Sequence, residues 1–294
     1  MTLSEKIAAR QFLVTSEIAP PKGTDLNEVL DEVQPLCGMV DAINVTDLQS
    51  SVMRTGSLAT CYLLKQRRCE PIFQLTCRDR NRLALQSDLL SAYVLGIENV
   101  LLLTGDYPTL GDHPDAKPVF DLDSVNLIRV AKGLQSGKDM KGNPLKGSPR
   151  FCIGAVVNPG ADPIEPEIIK MEKKIESGAQ FFQTQAVFDV KVFEQFIEKT
   201  KHLGATVLAG IVLLKSAGMA KFMNENIAGV SVPAPLIQEM KDAPKEDRPR
   251  KSVEIAVRII KQLKGMCQGV HIMPLGWDRE VPLVLEQADL MRGR

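Results

Sequence analysis

The stretch "FLVTSEIAPP", residues 12–21, places one carboxylate, Glu17, late in an apolar run and then halts the chain at Pro20-Pro21. Two apolar residues, Ile18 and Ala19, still follow it. A carboxyl group so placed is partly desolvated, which predicts a pKa above the ordinary ~4.3. Such a group suits a general acid near neutral pH. Polar side chains recur near the ends of later apolar runs: Thr46 and Asp47, Gln74 and Thr76, Thr104 and Asp106, Asn158, Gln183 and Gln185. Gln183 and Gln185, two apart, share one face of a strand. Their amides can read the donor and acceptor edge of a heterocycle without adding charge. A single polar residue at a strand end is ordinarily the start of a turn. A whole series of them asks for an architecture that gathers strand ends in one place.

The apolar runs supply that architecture. Strands are predicted at 12–19, 41–47, 71–77, 99–105, 151–158, 180–186, 206–214 and 269–275. They are short and nearly continuously apolar at their starts, as suits parallel strands covered on both faces. Amphipathic helices are predicted between them at 25–37, with Asp25 as cap, and at 80–96, closed by Gly96. Further helices are predicted at 123–134, 165–178, 189–204 and 252–265. Eight strand-helix repeats predict an α/β protein of the (β/α)8 TIM-barrel class, one domain over residues 1–294 with a short N-terminal helix. An open doubly wound sheet is the alternative, and the lack of a G-x-G-x-x-G after the first strand weighs against a dinucleotide-binding version of it. Two proline-rich connections, 106–122 and 233–251, read as long loops, the charged part of the second as solvated surface. In a barrel the C-terminal strand ends form one mouth, so Glu17 hangs into it and Pro20-Pro21 turns the chain away.

Composition narrows the function classes. Lys plus Arg and Asp plus Glu balance at 36 each, which removes the basic excess of a nucleic-acid binder. No apolar run is long enough for a membrane span, and the N-terminus lacks the apolar core of a secretory signal, so the cytoplasm is the expected compartment. The six cysteines, Cys37, Cys61, Cys69, Cys77, Cys152 and Cys267, match no metal-binding spacing and read as reduced, buried residues. His113, on the long loop beside the mouth, reads as a solvated residue before one that approaches the site, His202 as a helix-end residue that complements the dipole, and His271 as a satisfied core or barrel-wall residue. Trp277 either walls a ligand or packs on the last helix.

The blocks "TSEIAPPKGTD", "INVTD", "FQLTCRDRN", "LLLTGDYP", "GAVVNPGADP", "GAQFFQTQAVFD" and "GVHIMPLG" occur in this order across residues 12–290. Together they resemble the 5,10-methylenetetrahydrofolate reductase family. The resemblance implies a barrel with a flavin at its C-terminal mouth, FAD before FMN, reduced by NADH or NADPH. It implies a folate substrate and formation of 5-methyltetrahydrofolate. It makes Glu17 the acid that opens the imidazolidine ring and places Asp106 between flavin and pterin. Cofactor contacts implied are Thr46, Gln74, Thr104, Gly105, Asp106, Asn158, Asp162 and Lys174. Substrate contacts implied are Gln185, Asp106, Phe188 and Arg279. No metal is implied, and the partner is either a second copy of the chain or an electron-transfer complex. The chain departs from the family pattern at Gln74, Asn158, Asp162, Thr104 and Gly218, and Arg279 sits two places late. Rival readings are a catalytic subunit fed electrons by a partner chain, and a pterin-binding barrel that transfers methyl groups.

Overall fold

The computed structural model describes residues 1–291; the last three residues of the expected domain, 292–294, lie outside it. Eight parallel strands close into a barrel in chain order. They are β1 (Leu13–Ile18), β2 (Ala42–Val45), β3 (Pro71–Thr76), β4 (Asn99–Leu103), β5 (Cys152–Val157), β6 (Phe181–Ala186), β7 (Thr206–Val212) and β8 (Gly269–Met273). Every one falls inside its predicted span, because each short apolar run is buried on both faces and has no polar side to confuse its period.

Alternation along the strands sorts side chains between two clusters. Outward residues such as Val14, Ile43, Phe73, Val100 and Phe182 pack beneath the helices. Inward residues Leu13, Ala42, Ile72, Leu101, Cys152, Phe181 and Leu208 form an apolar floor. The N-terminal helix Leu3–Ala8 closes that end with Leu3 and Ile7. A capping box between Thr2 and Glu5 starts the helix, and Lys6 ties it to Asp41 at 2.7 Å. Gly154 is required inside the barrel: a Cβ there would lie 2.3 Å from the Phe181 ring. The ring fills the space, worth about 1.5–3 kcal/mol of burial for a side chain of this kind.

Helices Asn27–Val33, Arg82–Val94, Ser124–Gln135, Glu165–Ser177, Val190–Thr200 and Arg248–Leu263 match the amphipathic predictions. Gly96, at φ 78°, follows the end of the second as expected. Asp25 does not cap the first helix; its carboxylate accepts from the Asn27 backbone one residue too early. The helix Ser57–Gln66 lacked a sequence signal because its buried face is Ser57, Thr60, Cys61 and Leu64, too polar for an apolar stripe. The stretch 233–251 is not one long loop, although its charged residues Lys241, Asp242, Lys245, Glu246 and Asp247 are exposed as expected. Ala234–Asp242 is helical and buries Leu236 and Met240, and Arg248 opens the next helix. Prolines at the starts of both helices are first-turn residues, which the loop reading mistook for breakers.

The cysteines also differ from expectation. Cys37 and Cys69 form a disulfide between the turn after Asn27–Val33 and the residues before β3. Their 32-residue separation hid a proximity that only the β2–β3 pairing creates. Cys61, Cys77, Cys152 and Cys267 are free and buried. Burial pushes the Cys77 and Cys152 thiols up to about 12, so they are unreactive packing residues.

Candidate active site at the barrel mouth

Glu17 lies at the C-terminal end of β1, paired in register with Asn44 of β2. Leu13, Thr15 and Glu17 alternate inward, so the carboxyl group rises from the barrel axis into the mouth. Its side chain is 11% exposed. Two amides and a ring nitrogen face it: Gln49 Nε2 at 3.4 Å from Oε1, Gln74 Nε2 at 3.3 Å from Oε2, and His271 Nε2 at 3.6 Å from Oε2. These are long contacts. A cavity of about 320 Å³ opens beside them, lined among others by Glu17, Gln49, Arg54, Leu275 and Asp278. Burial pushes the Asp278 carboxyl up to about 6, helped by the nearby Glu32 and Glu17 charges. Its Oδ1 has no hydrogen-bond partner.

The loops around the mouth are stitched together by residues the sequence reading passed over. The Arg78 guanidinium is 2% exposed and reaches three loops. It donates to Asp79, to Ser51 Oγ at 2.9 Å, to the Leu48 carbonyl at 3.2 Å and to the Asp106 carbonyl at 3.2 Å. Ser51 Oγ also reaches the Asp106 and Tyr107 carbonyls at 3.0 Å. Gly105, at φ 92°, lets the chain pass: a Cβ there would sit 3.1 Å from Arg78 Cβ. Asp112 binds Lys22 and the Met53 backbone, joining the loops after β1, β2 and β4, and these donors hold its carboxyl well below the ordinary carboxylate range. Asp47, on the predicted polar end of β2, is wholly buried and accepts from Thr76 at 2.9 Å and Arg80 at 2.7 Å. It is therefore part of the wall.

The expected site residues divide. Glu17, Thr46, Gln74, Thr104, Gly105, Asp106 and Gln185 all stand at strand ends around the mouth. Asp106 and Gln185 are exposed there, and Thr46 is buried with an unpartnered hydroxyl. Asn158 is engaged elsewhere: its Nδ2 donates to the Ala228 carbonyl at 2.9 Å and its Oδ1 accepts from Gly160. Lys174 is 2% exposed. Its Nζ donates to the Val156 carbonyl at 2.6 Å, and burial lowers its pKa to about 8. Phe188 is 5% exposed and belongs to the main apolar cluster. Arg279 stands on the rim, exposed, beside Glu32 at 3.2 Å, and Asp162 is exposed on the β5 loop. Trp277 is half-buried against the core, with the Lys215 ammonium 5.4 Å from its ring centre.

The profile of the methylenetetrahydrofolate reductase family matches residues 2–289. The chain belongs to this family. Methylenetetrahydrofolate reductase 2 of Schizosaccharomyces pombe is 26% identical over 99% of this chain and 48% of its own length. The 5,10-methylenetetrahydrofolate reductase of Salmonella typhimurium is 23% identical over 86% of this chain and 82% of its own. The chain spans 33–61% of the length of the first five curated relatives it matches. Among solved structures, an uncharacterized Clostridium thermocellum protein that binds two copies of 5-methyl-5,6,7,8-tetrahydrofolic acid superposes with a TM-score of 0.64 at 17% identity, covering 97% of both chains. A 2,3-dimethylmalate lyase superposes at 0.53 with 11% identity. At these identities the superpositions show the shared barrel. No helix among the described residues is long and apolar enough to cross a membrane.

Proposed function

We propose that this barrel reduces 5,10-methylenetetrahydrofolate to 5-methyltetrahydrofolate at its C-terminal mouth, with Glu17 as general acid. The observation that carries the reading is Glu17 itself: a nearly buried carboxyl group on a strand end, open to a cavity and met by the Gln49 and Gln74 amides and the His271 ring. Glu17 gives its proton to the ring nitrogen that leaves the bridging methylene carbon, so the nitrogen takes the bonding pair and the remaining iminium carries positive charge. The Glu17 carboxylate left behind, with Asp106 across the mouth, stabilises that charge electrostatically. Gln185 meets the pterin edge with its amide, and Arg279 on the rim meets an acidic folate tail. The relatives' names and the ligand of the Clostridium thermocellum protein support this substrate class.

The residues present fit the ring end of a flavin, the family's cofactor. Thr46 holds a buried hydroxyl without a partner at the strand ends, where a ring carbonyl or N–H can complete it. When bound there, a reduced flavin supplies hydride to the methylene carbon. The phosphate end fits less well. Lys174 and Asn158 direct their polar atoms into the protein. FAD and FMN both remain compatible with the ring contacts, as do NADH, NADPH or a partner chain as donor. A cytoplasmic enzyme working as a homo-oligomer is the arrangement we favour. The test is the absorbance spectrum of the purified protein and the mass of its released cofactor, followed by conversion of methylenetetrahydrofolate under reducing conditions. A colourless protein that catalyses methyl transfer instead would replace this reading with the methyltransferase one.

A further inference from the structure

Between the apolar floor and the mouth, the barrel interior is filled by a chain of hydrogen-bonded polar side chains. Asn44 and Gln183 come from β2 and β6, strands on opposite sides of the closed barrel. Asn44 Nδ2 donates to Gln183 Oε1 at 2.7 Å, and Gln183 Nε2 donates back to Asn44 Oδ1 at 3.0 Å. Gln183 Nε2 also donates to Thr15 Oγ1 at 3.1 Å. Thr15 Oγ1 lies 2.9 Å from His271 Nδ1, its register partner on β8. All four side chains are buried, none more than 3% exposed.

We propose that Thr15 and His271 are positioning residues for Glu17: the chain Asn44–Gln183–Thr15 holds the His271 imidazole as its Nε2–H tautomer, and so directs the acidic proton of Glu17 to Oε1. This inference rests on the general-acid reading of Glu17. The reasoning is a donor and acceptor balance. With Gln183 Nε2 donating to Thr15 Oγ1, the hydroxyl's one proton remains for its other neighbour, His271 Nδ1, and the proposal places it there. Nδ1 is then the lone-pair nitrogen, and the proton of the neutral ring sits on Nε2, facing Glu17 Oε2. Oε2 meets a second N–H from Gln74. Two N–H groups aimed at one oxygen leave no acceptor for an O–H on it. Among the described residues Oε1 meets a single N–H, from Gln49, a half-buried side chain on the loop after β2, which leaves its other side open for an O–H. The acid proton therefore resides on Oε1. Glu32, Arg54 and Asp278 line the same cavity as Glu17, and Asp278 also feels the Lys215 charge, so these are the other ionic groups around the acid.

The opposite arrangement, with both amides turned, has a different signature. Thr15 would donate to Gln183, His271 would carry its proton on Nδ1, and a bare Nε2 would draw the Glu17 proton to Oε2. The two are distinguishable without cofactor or substrate. Histidine ¹⁵N spectra of labelled protein contain three residues, and His113 and His202 are exposed. The expected result is a His271 signal of the Nε2–H tautomer, lost or averaged in Thr15→Val and restored in Thr15→Ser. In Thr15→Val the folate half-reaction is expected to slow by about 10-fold or more while flavin reduction holds, as for a misdirected acid. A His271 signal of the Nδ1–H tautomer in the native protein overturns the proposal, as does a tautomer unchanged in Thr15→Val. If Thr15→Val does not fold, the native spectrum alone decides. Because that spectrum does not depend on turnover, failure of the general-acid reading in the Glu17→Gln experiment below is a separate result.

Discussion

Replacing Glu17 with Gln keeps the side chain's size and removes its acidic proton. The structural cost can be worked from the contacts. A Gln amide offers one oxygen and one NH₂. Gln74 and His271 both face Oε2, so the amide oxygen takes that position and the NH₂ turns toward Gln49. One N–H then opposes another, at a half-buried loop side chain free to rotate, and the stability loss is about 1 kcal/mol or less. The chemical cost is larger. Loss of a general acid slows its step by about 10²-fold or more, equivalent to about 2.7 kcal/mol of barrier. The expected outcome is thus a folate half-reaction slowed at least about 100-fold, in a protein whose urea midpoint barely moves. Reduction of the flavin by its donor involves no ring opening and should keep its rate. Stopped-flow absorbance of the flavin separates the two half-reactions. Equal slowing of both halves, or an unslowed folate half, would refute the assignment; the first outcome would mean that Glu17 only shapes the mouth.

Three further perturbations test other parts of the structure. Arg78→Met removes a buried guanidinium from the Leu48 and Asp106 carbonyls and from the exposed Asp79, and should cost about 1–3 kcal/mol in denaturant unfolding; an unchanged stability would show that the loops hold themselves. Lys174 has its folded pKa lowered from 10.5 to about 8 by burial, so the unfolded chain binds more protons between those values and stability should rise with pH across that window. That displacement corresponds to roughly 3 kcal/mol, and Lys174→Met should abolish the rise; an identical pH dependence in the variant would show that the ammonium is solvated. Thr46→Val should reduce flavin occupancy measured by the ratio of flavin to protein absorbance, while leaving the fold intact because the native hydroxyl has no protein partner; unchanged occupancy would remove Thr46 from the cofactor site.

Strand positions and the placing of Glu17 at the barrel mouth were determined by the sequence alone. A parallel strand buried on both faces must be apolar over its own length, so its limits are written locally. The resemblance added the family and the order of its blocks. Tertiary structure decided which polar residues share a partner. Asn44, Thr15, Gln183 and His271 lie up to 256 residues apart, and only barrel closure, which sets β1 beside β8 and β2 opposite β6, brings them into contact. The same holds for Arg78, whose partners come from the loops after β2, β3 and β4. Lys174 shows the reverse case: its identity fitted a phosphate contact, but its place on Glu165–Ser177 puts the ammonium on the Val156 carbonyl. The Ser57–Gln66 helix and the helices in 233–251 were illegible for a physical reason too. Their buried faces are partly polar or interrupted by first-turn prolines, and what makes them helices is the surface they cover.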